Sequence, residues 1–136
     1  MQRPVPAANA ESRPFWDAAA RGVLQLAKCE TCGRIAYPPK PRCSYCLSPA
    51  LLWTELSGRG RLRGWTDNHL AVLAGYERPL CIVECAIEED PGAVIIALDE
   101  AGSVRNCSPD APLRIGFSAD QNGWSYPCVT LVDDGE

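Results

Sequence analysis

The hydrophobic pattern predicts a C-terminal half made of β-strands. In most of it, apolar and polar side chains alternate with the two-residue period of a half-buried strand. A continuous apolar run of strand length fills the middle. The predicted strands are residues 59–68, 80–88, 93–98, 113–117 and 126–132. Because no convincing helix separates them, the pattern favours a small antiparallel barrel.

The N-terminal half begins with an arm and a helix. Residues 1–10 are rich in proline and alanine and are predicted to be disordered until a partner orders them. Ser12 suits an N-cap, Pro14 suits a first turn and Gly22 suits the stop, which predicts a helix over residues 11–22. A cysteine-rich unit follows at residues 23–57, and the barrel domain takes residues 58–136.

Two CxxC pairs predict a metal centre. Cys29 and Cys32 form the first pair, and Cys43 and Cys46 form the second after ten intervening residues. Each pair bends the backbone so that two sulfurs point at one ion, and two pairs complete a tetrahedron of thiolates. Four thiolates leave no open position, so the site is predicted to be structural. Zinc is favoured as the commonest structural ion, although iron would accept the same ligands.

The CxxC pairs could instead be redox motifs, and the other four cysteines could be buried thiols or a second metal site. A redox pair opens a helix within a βαβ unit, and neither pair does so. The remaining cysteines are interpreted as buried thiols that pack as small apolar groups, with a second metal site as the alternative. They are Cys81, Cys85, Cys107 and Cys128.

Charge and hydropathy bear on the partner and the compartment. The net charge of −4 argues against a main partner that is a nucleic-acid backbone, because such binding needs an excess of lysine and arginine. No signal peptide or membrane-spanning run is visible, which predicts a cytoplasmic protein with reduced thiols.

Catalytic chemistry has little support in the sequence. His69 is the only histidine and has no cysteine or aspartate arranged beside it. Glu84 interrupts an apolar strand, which an outward or edge position explains. No nucleophile elbow, phosphate loop or HExxH motif occurs, so no catalytic residue is predicted.

A row of arginines is the candidate ligand site. Arg59, Arg61 and Arg63 are predicted to share one strand face with Trp65, opposite Leu62 and Thr66. Guanidinium groups about 7 Å apart along a strand can grip phosphates or carboxylates. The ligand would be nucleic acid, or a nucleotide-bearing small molecule such as coenzyme A. A solvated strand face is the alternative interpretation.

The order of the motifs resembles one family over nearly the whole chain, from about Glu11 to Val132. This is the acyl-CoA-associated family of proteins of unknown function that join a rubredoxin-like zinc ribbon to an OB fold. The segments that carry the resemblance are Pro14-Phe15-Trp16, Cys29-Glu30-Thr31-Cys32-Gly33, Tyr37-Pro38-Pro39, Cys43-Ser44-Tyr45-Cys46, Trp53, Ser57-Gly58-Arg59-Gly60, Pro79, Leu113-Arg114-Ile115-Gly116 and Tyr126-Pro127-Cys128.

The resemblance implies a fold and a role. The fold is an N-terminal helix, a zinc ribbon and a five-stranded OB barrel. The role is that of a non-catalytic subunit that accompanies a thiolase-like enzyme, an aldolase, an acyltransferase or a MaoC-type hydratase and shapes or contacts its acyl-CoA site. The stretch after Gly116 is shorter than the family pattern, which predicts a clipped last hairpin.

Two apolar segments are predicted to contact the partner. The connection after His69 is unusually apolar for a surface loop, and the predicted helix carries two adjacent aromatic residues. The predicted contact residues are Phe15, Trp16, Leu70, Val72, Leu73 and Tyr76. Packing of the helix on its own ribbon is the alternative for Phe15 and Trp16.

Two other functions stay open at this point. Zinc ribbons and OB folds both serve in nucleic-acid binding, and the arginine row favours that function. An iron-loaded ribbon could instead carry electrons, as rubredoxin does.

Overall fold

The helix and strands follow one another in the predicted order. The computed structural model describes residues 3–70, 75–76 and 79–132. Within them the elements are α1 (Arg13–Ala20), β1 (Gln25–Cys29), β2 (Ile35–Ala36), β3 (Leu51–Glu55), β4 (Arg59–Asn68), β5 (Leu80–Ile87), β6 (Val94–Leu98), a 3₁₀ turn (Ser103–Asn106), β7 (Pro112–Ala119) and β8 (Ser125–Leu131). The first three strands form a small sheet in the order β2-β1-β3.

The last five strands close into a barrel in the order β4-β5-β6-β8-β7. Only β6 and β8 run parallel, and β7 closes the barrel by pairing with the start of β4. This is the connectivity of an OB fold, so the predicted fold class is confirmed. The last hairpin pairs without interruption from Leu113 opposite Leu131 to Ala119 opposite Ser125. The shorter sequence after Gly116 therefore does not open the barrel.

A β-bulge in β4 corrects one part of the strand prediction. Leu62 lies opposite Cys85 and Gly64 lies opposite Glu84, so Arg63 is an extra residue in the ladder. The alternation of faces is shifted by one residue beyond that point. Trp65 lies opposite Val83, whose side chain points into the barrel, and so does not share a face with Arg59 and Arg61. Simple alternation fails here because a bulge places two residues opposite one.

One hydrophobic core joins the ribbon to the barrel. Leu26 and Ile35 of the ribbon belong to the same buried cluster as Val83, Ile87 and Ile95 of the barrel. The two units therefore exclude water together, and each lacks part of its core without the other.

The helix begins at Arg13, two residues after the predicted start. It ends where expected, because Gly22 adopts a φ of 75° and the N–H of Val23 reaches back to the carbonyl of Ala18. Ser12 does not cap the helix through its side chain. Instead, Asn9 and Ser12 each accept a hydrogen bond from the other's backbone N–H, which forms a turn before the helix.

In the described part of the N-terminal arm, Arg3 and Pro4 are held against the barrel, whereas the composition of the arm predicts disorder. The backbone N–H of Arg3 donates to Asp120 over 3.0 Å, and the hydroxyl of Tyr126 donates to the carbonyl of Pro4 over 2.6 Å. The guanidinium of Arg3 lies 4.6 Å from the centre of the Tyr76 ring. These tertiary contacts offset the entropy of ordering residues that have no secondary structure of their own.

Candidate metal centre and arginine groove

The four predicted cysteine ligands converge on one point. All four sulfur atoms lie within 4.8 Å of one another. The Sγ atoms of Cys29 and Cys46 are 3.6 Å apart, as are those of Cys32 and Cys43. Zinc–sulfur bonds of about 2.3 Å in a tetrahedron place the sulfurs about 3.8 Å apart. The separations fit a metal ion and are far too long for disulfides, whose sulfurs are about 2.05 Å apart.

The two knuckles that supply these sulfurs are built alike. In each, the residue after the second cysteine has a left-handed backbone, with φ of 79° at Gly33 and 65° at Leu47. The N–H of Gly33 donates to the carbonyl of Cys29, and the N–H of Leu47 donates to that of Cys43, both over 2.9 Å. Glycine accepts this conformation without strain, whereas leucine does not. The second knuckle therefore carries backbone strain that the first one avoids.

Backbone N–H groups prepare two of the thiols to ionise. The N–H of Cys32 lowers the pKa of the Cys29 thiol to about 6. The N–H groups of Cys46 and Tyr45 lower the pKa of the Cys43 thiol. The thiolate is the form that binds metal, so these contacts favour the bound state. The centre has the donor set and geometry of a structural zinc site, with no position left for a substrate.

Asp90 links this metal centre to the barrel. It stands in the turn between β5 and β6 and is only 8% exposed. Its carboxylate accepts hydrogen bonds from the Arg34 guanidinium over 2.9 Å and from the N–H of Ile35 over 3.0 Å. The same guanidinium lies 3.8 Å from the centre of the Tyr45 ring in the second knuckle. Sequence reasoning missed this contact, because nothing local shows which segment the carboxylate meets.

The three predicted arginines line one groove. Its volume is about 540 Å³, and it lies beside the first half of β4, where Arg59 and Arg61 point outward and Arg63 occupies the bulge. Pro112, Leu113 and Val132 give it an apolar side. Glu88 and Asp110 also line it, and Arg61 donates to the carbonyl of Asp110 over 3.2 Å.

Gly60 sets how closely β4 and β5 approach at this groove. A Cβ at this position would lie 2.5 Å from the sulfur of Cys85 and 2.6 Å from the carbonyl oxygen of Ala86. Both distances are well inside van der Waals contact, so no other residue fits without moving β5. Gly64, in the same strand, has no atom within 4 Å of the corresponding position.

The predicted partner-contact residues divide into three groups. The Phe15 ring is 5% exposed and packs against Trp16, Tyr37 and Phe117, which removes it from the surface of the chain. Trp16 is half-buried, as is Tyr76, whereas Leu70 is 73% exposed. Val72 and Leu73 lie outside the described residues.

Neither His69 nor Glu84 lines the groove or belongs to the metal cluster. His69 and Glu84 are both exposed. Cys81 and Cys85 are buried, as predicted, and burial raises the pKa of the Cys85 thiol to about 11. Cys107 and Cys128 are half-buried. Within the described part of the chain, the four ribbon cysteines are the only cluster of metal-ligating side chains.

Comparison with known proteins agrees with the metal centre. Residues 16–51 match the family model described as the ChsH2 rubredoxin-like zinc ribbon domain. This segment is a rubredoxin-like zinc ribbon. The sulfur geometry and the family model together assign its four cysteines to structural zinc. They also confirm the resemblance drawn from the sequence as far as the ribbon extends.

The fold as a whole also has a solved counterpart. The chain superimposes on a structure titled Ltp2-ChsH2(DUF35) aldolase with a TM-score of 0.81, and the alignment covers 93% of this chain and 98% of that one. The sequences are 18% identical, so the likeness shows a shared fold. No curated protein matches the sequence significantly. No described helix is both long and apolar enough to cross a membrane.

Proposed function

We propose that this chain is a non-catalytic accessory subunit that binds an acyl-CoA enzyme of the thiolase, aldolase, acyltransferase or hydratase type. In this proposal it contributes the arginine groove to the site that receives the CoA substrate. The observation that carries the proposal is the groove itself, where Arg59, Arg61 and Arg63 stand beside an apolar wall.

The chemistry of the groove suits a phosphorylated ligand with an apolar part. Guanidinium groups form two parallel hydrogen bonds to a phosphate and keep their charge at any physiological pH. Coenzyme A carries several phosphates on one end and a long flexible arm on the other. The arginines would hold the phosphates, and the wall of Pro112, Leu113 and Val132 would lie along less polar parts of the molecule.

The closed coordination of the metal centre supports an accessory role. The zinc has four thiolate ligands and therefore no open position for a reacting group. The solved structure of the same fold is titled as an aldolase that pairs Ltp2 with ChsH2, which supports a place beside a catalytic subunit.

Co-purification tests the association. The full-length chain, isolated under native conditions from its own cells, is expected to bring down an acyl-CoA enzyme subunit in stoichiometric amount. That enzyme is expected to lose activity or stability when the accessory chain is removed. A chain that stays alone, together with a cognate enzyme that is fully active without it, would refute the proposal.

The arginine groove is tested by charge reversal within the reconstituted complex. Arg61→Glu is expected to raise the KM for the acyl-CoA substrate about tenfold or more, because one phosphate contact becomes a repulsion. The zinc content should not change. Arg13→Glu is the control, because it makes the same charge change on α1, outside the groove. An unaltered KM in Arg61→Glu would reject the phosphate contact.

Nucleic-acid binding is the second candidate, since the arginine row lies on an OB barrel. Two observations count against it. The chain carries a net charge of −4, and none of the described residues that line the groove is aromatic. Single-strand binding by OB folds depends on base stacking and on phosphate neutralisation. An oligonucleotide titration at low and moderate salt decides, because salt-dependent binding would favour this candidate.

A further inference from the structure

The outer surface of β5 and β6 is unusually apolar. The buried residues Val83 and Cys85 point into the barrel, so Ile82, Glu84 and Ala86 point out. Ile95 and Ala97 likewise point in, so their neighbours on β6 point out. The outward side chains, named here the outer sheet face, are Ile82, Glu84, Ala86, Val94, Ile96 and Leu98. The outer side of an antiparallel sheet in water is normally polar, and here Glu84 is the only polar member.

The rest of the folded chain leaves this face partly open. Ile96 is 48% exposed, and Ile82, Val94 and Leu98 are half-buried. Helix α1 packs against β1, β7 and β8. Among the described helices and strands, only neighbours in the barrel pack extensively on β5 and β6. Ala86 is only 9% exposed. The other apolar members form a contiguous, partly exposed patch, and such patches mark interaction surfaces.

The carboxylate of Glu84, at the centre of the outer sheet face, indicates which charge a protein bound there would carry. Glu84 lies between the bulge at Arg63 and Gly64 on β4 and Ile96 on β6. Among the described residues, no ion pair joins Arg63 to Glu84. Across the described residues Glu84 has no hydrogen-bond or ion-pair partner. An apolar surface that covered Glu84 without a cation would desolvate an unpaired charge, at a cost of several kcal/mol. An occupant that brings an arginine or lysine within an otherwise apolar surface avoids this cost.

The outer sheet face is continuous with the arginine groove. Arg61 lies opposite Ala86, and Ala86 lies opposite Val94, so one cross-strand row runs from the groove onto the face. Ala86 lines the groove as well. A protein seated on Ile96 and Leu98 would thus reach the edge of the groove and could share a ligand held there.

We infer that the outer sheet face is the docking surface for the enzyme subunit, and that this subunit places a basic residue of an apolar patch against Glu84. The inference rests on the proposed function and assigns the surface that the function needs. In many OB folds the second and third strands carry single-stranded nucleic acid through basic and aromatic side chains. An apolar face with a central carboxylate is unsuited to that ligand and suited to a protein.

Site-directed cross-linking tests the surface in the full-length chain. A photo-reactive benzoylphenylalanine at position 96 is expected to cross-link, in the native cells, to the enzyme subunit that co-purifies with the wild type. The cross-linked peptide should be apolar and contain an arginine or lysine. Leu52, which is 57% exposed on the ribbon, is the matched control position and should give no such product.

Charge reversal tests the pairing. Glu84→Arg is expected to weaken the complex at least about tenfold, while zinc content and the far-UV spectrum stay unchanged because Glu84 is exposed. Glu11→Arg, the same charge reversal at an exposed residue just before α1, should have no effect. Reversing the charge of the partner's cross-linked basic residue should restore binding to Glu84→Arg.

The outcomes separate the inference from the proposed function. An enzyme subunit that co-purifies but cross-links only from other positions, or binds Glu84→Arg unchanged, overturns the inference and leaves the function standing. A cross-link from position 96 to a second copy of the chain or to nucleic acid also overturns the inference. If the wild type captures no enzyme subunit, both fail.

Discussion

Replacement of Asp90 tests how firmly the ribbon is joined to the barrel. Asp90→Ala removes the acceptor for three donors, which are the Arg34 guanidinium and the N–H groups of Ile35 and Gly92. Two of these donors belong to the ribbon, 55 and 56 residues away in sequence. The substitution therefore breaks a tertiary contact and a local turn together.

The magnitude follows from the burial of each partner. The buried N–H of Ile35 would be left without an acceptor, which costs about 1–3 kcal/mol. The ion pair adds only about 0.5–1 kcal/mol, because the Arg34 side chain is 42% exposed and water screens it. We expect Asp90→Ala to lower the free energy of unfolding by about 2–4 kcal/mol. For a chain of this length, that lowers Tm by about 7–14 °C.

The dependence on pH identifies the carboxylate as the cause. Burial alone raises the pKa of Asp90, but the hydrogen bonds from Arg34, Ile35 and Gly92 more than offset it, so the folded-state pKa lies below its usual range. The ionised group therefore stabilises the fold above the unfolded-state pKa of about 3.9, and this stabilisation is lost as the pH falls through the lower folded-state value. The Tm difference between wild type and Asp90→Asn should be constant from about pH 5 to 8 and shrink below about pH 4.

Thermal unfolding followed by circular dichroism on zinc-loaded protein gives both numbers. Asp17→Asn is the matched control, because Asp17 is exposed on α1, and it should leave Tm within about 1 °C of the wild type. A change of less than about 2 °C in Asp90→Ala would show that the carboxylate contributes little to joining the two units.

Three further substitutions test the metal centre and the groove. Cys46→Ser should abolish stoichiometric zinc binding and cooperative melting, because the free energy of metal binding at such a site is also free energy of folding. Metal analysis and calorimetry measure the two effects. A variant that folds without metal would contradict this prediction. Gly60→Ala should destabilise the barrel by about 1–3 kcal/mol in urea unfolding, because its Cβ would clash with Cys85, whereas Gly64→Ala, with open space around it, should not. Leu47→Gly should leave Tm unchanged or raise it. Glycine relieves about 1–2 kcal/mol of strain in the left-handed backbone, and this relief offsets the greater entropy that glycine gives to the unfolded chain. A fall in Tm of more than about 3 °C would show that the leucine side chain itself is needed.

Much of the candidate site could be predicted because its signals are local. The CxxC pairs place their sulfurs through turns of a few residues, so their spacing alone indicates a shared ion. The bounds of β4, Arg59–Asn68, coincide with the predicted strand because alternation reports burial on one face. The stop at Gly22 was likewise predictable, since only glycine adopts that backbone easily.

The remaining features depend on segments that are far apart in sequence. The bulge at Arg63 is a feature of the pairing between β4 and β5. The alternation within β4 alone therefore assigned Trp65 to the wrong face of the strand. The arm was predicted to be disordered because its composition is typical of disordered segments. The contacts of Arg3 and Pro4 with Asp120 and Tyr126 join residues more than a hundred positions apart in the sequence. Phe15 was predicted to contact a partner protein. Its ring packs instead against Phe117, which lies about a hundred residues later in the chain.

The sequence by itself determined the metal ligands, the strands and the arginine row, because each follows from short-range geometry that neighbouring residues impose on one another. Only the tertiary structure decided that Asp90 ties the ribbon to the barrel and that the arginines border an apolar outer face. Such juxtapositions are set when distant segments exclude water together, and a linear pattern does not encode which surfaces will meet.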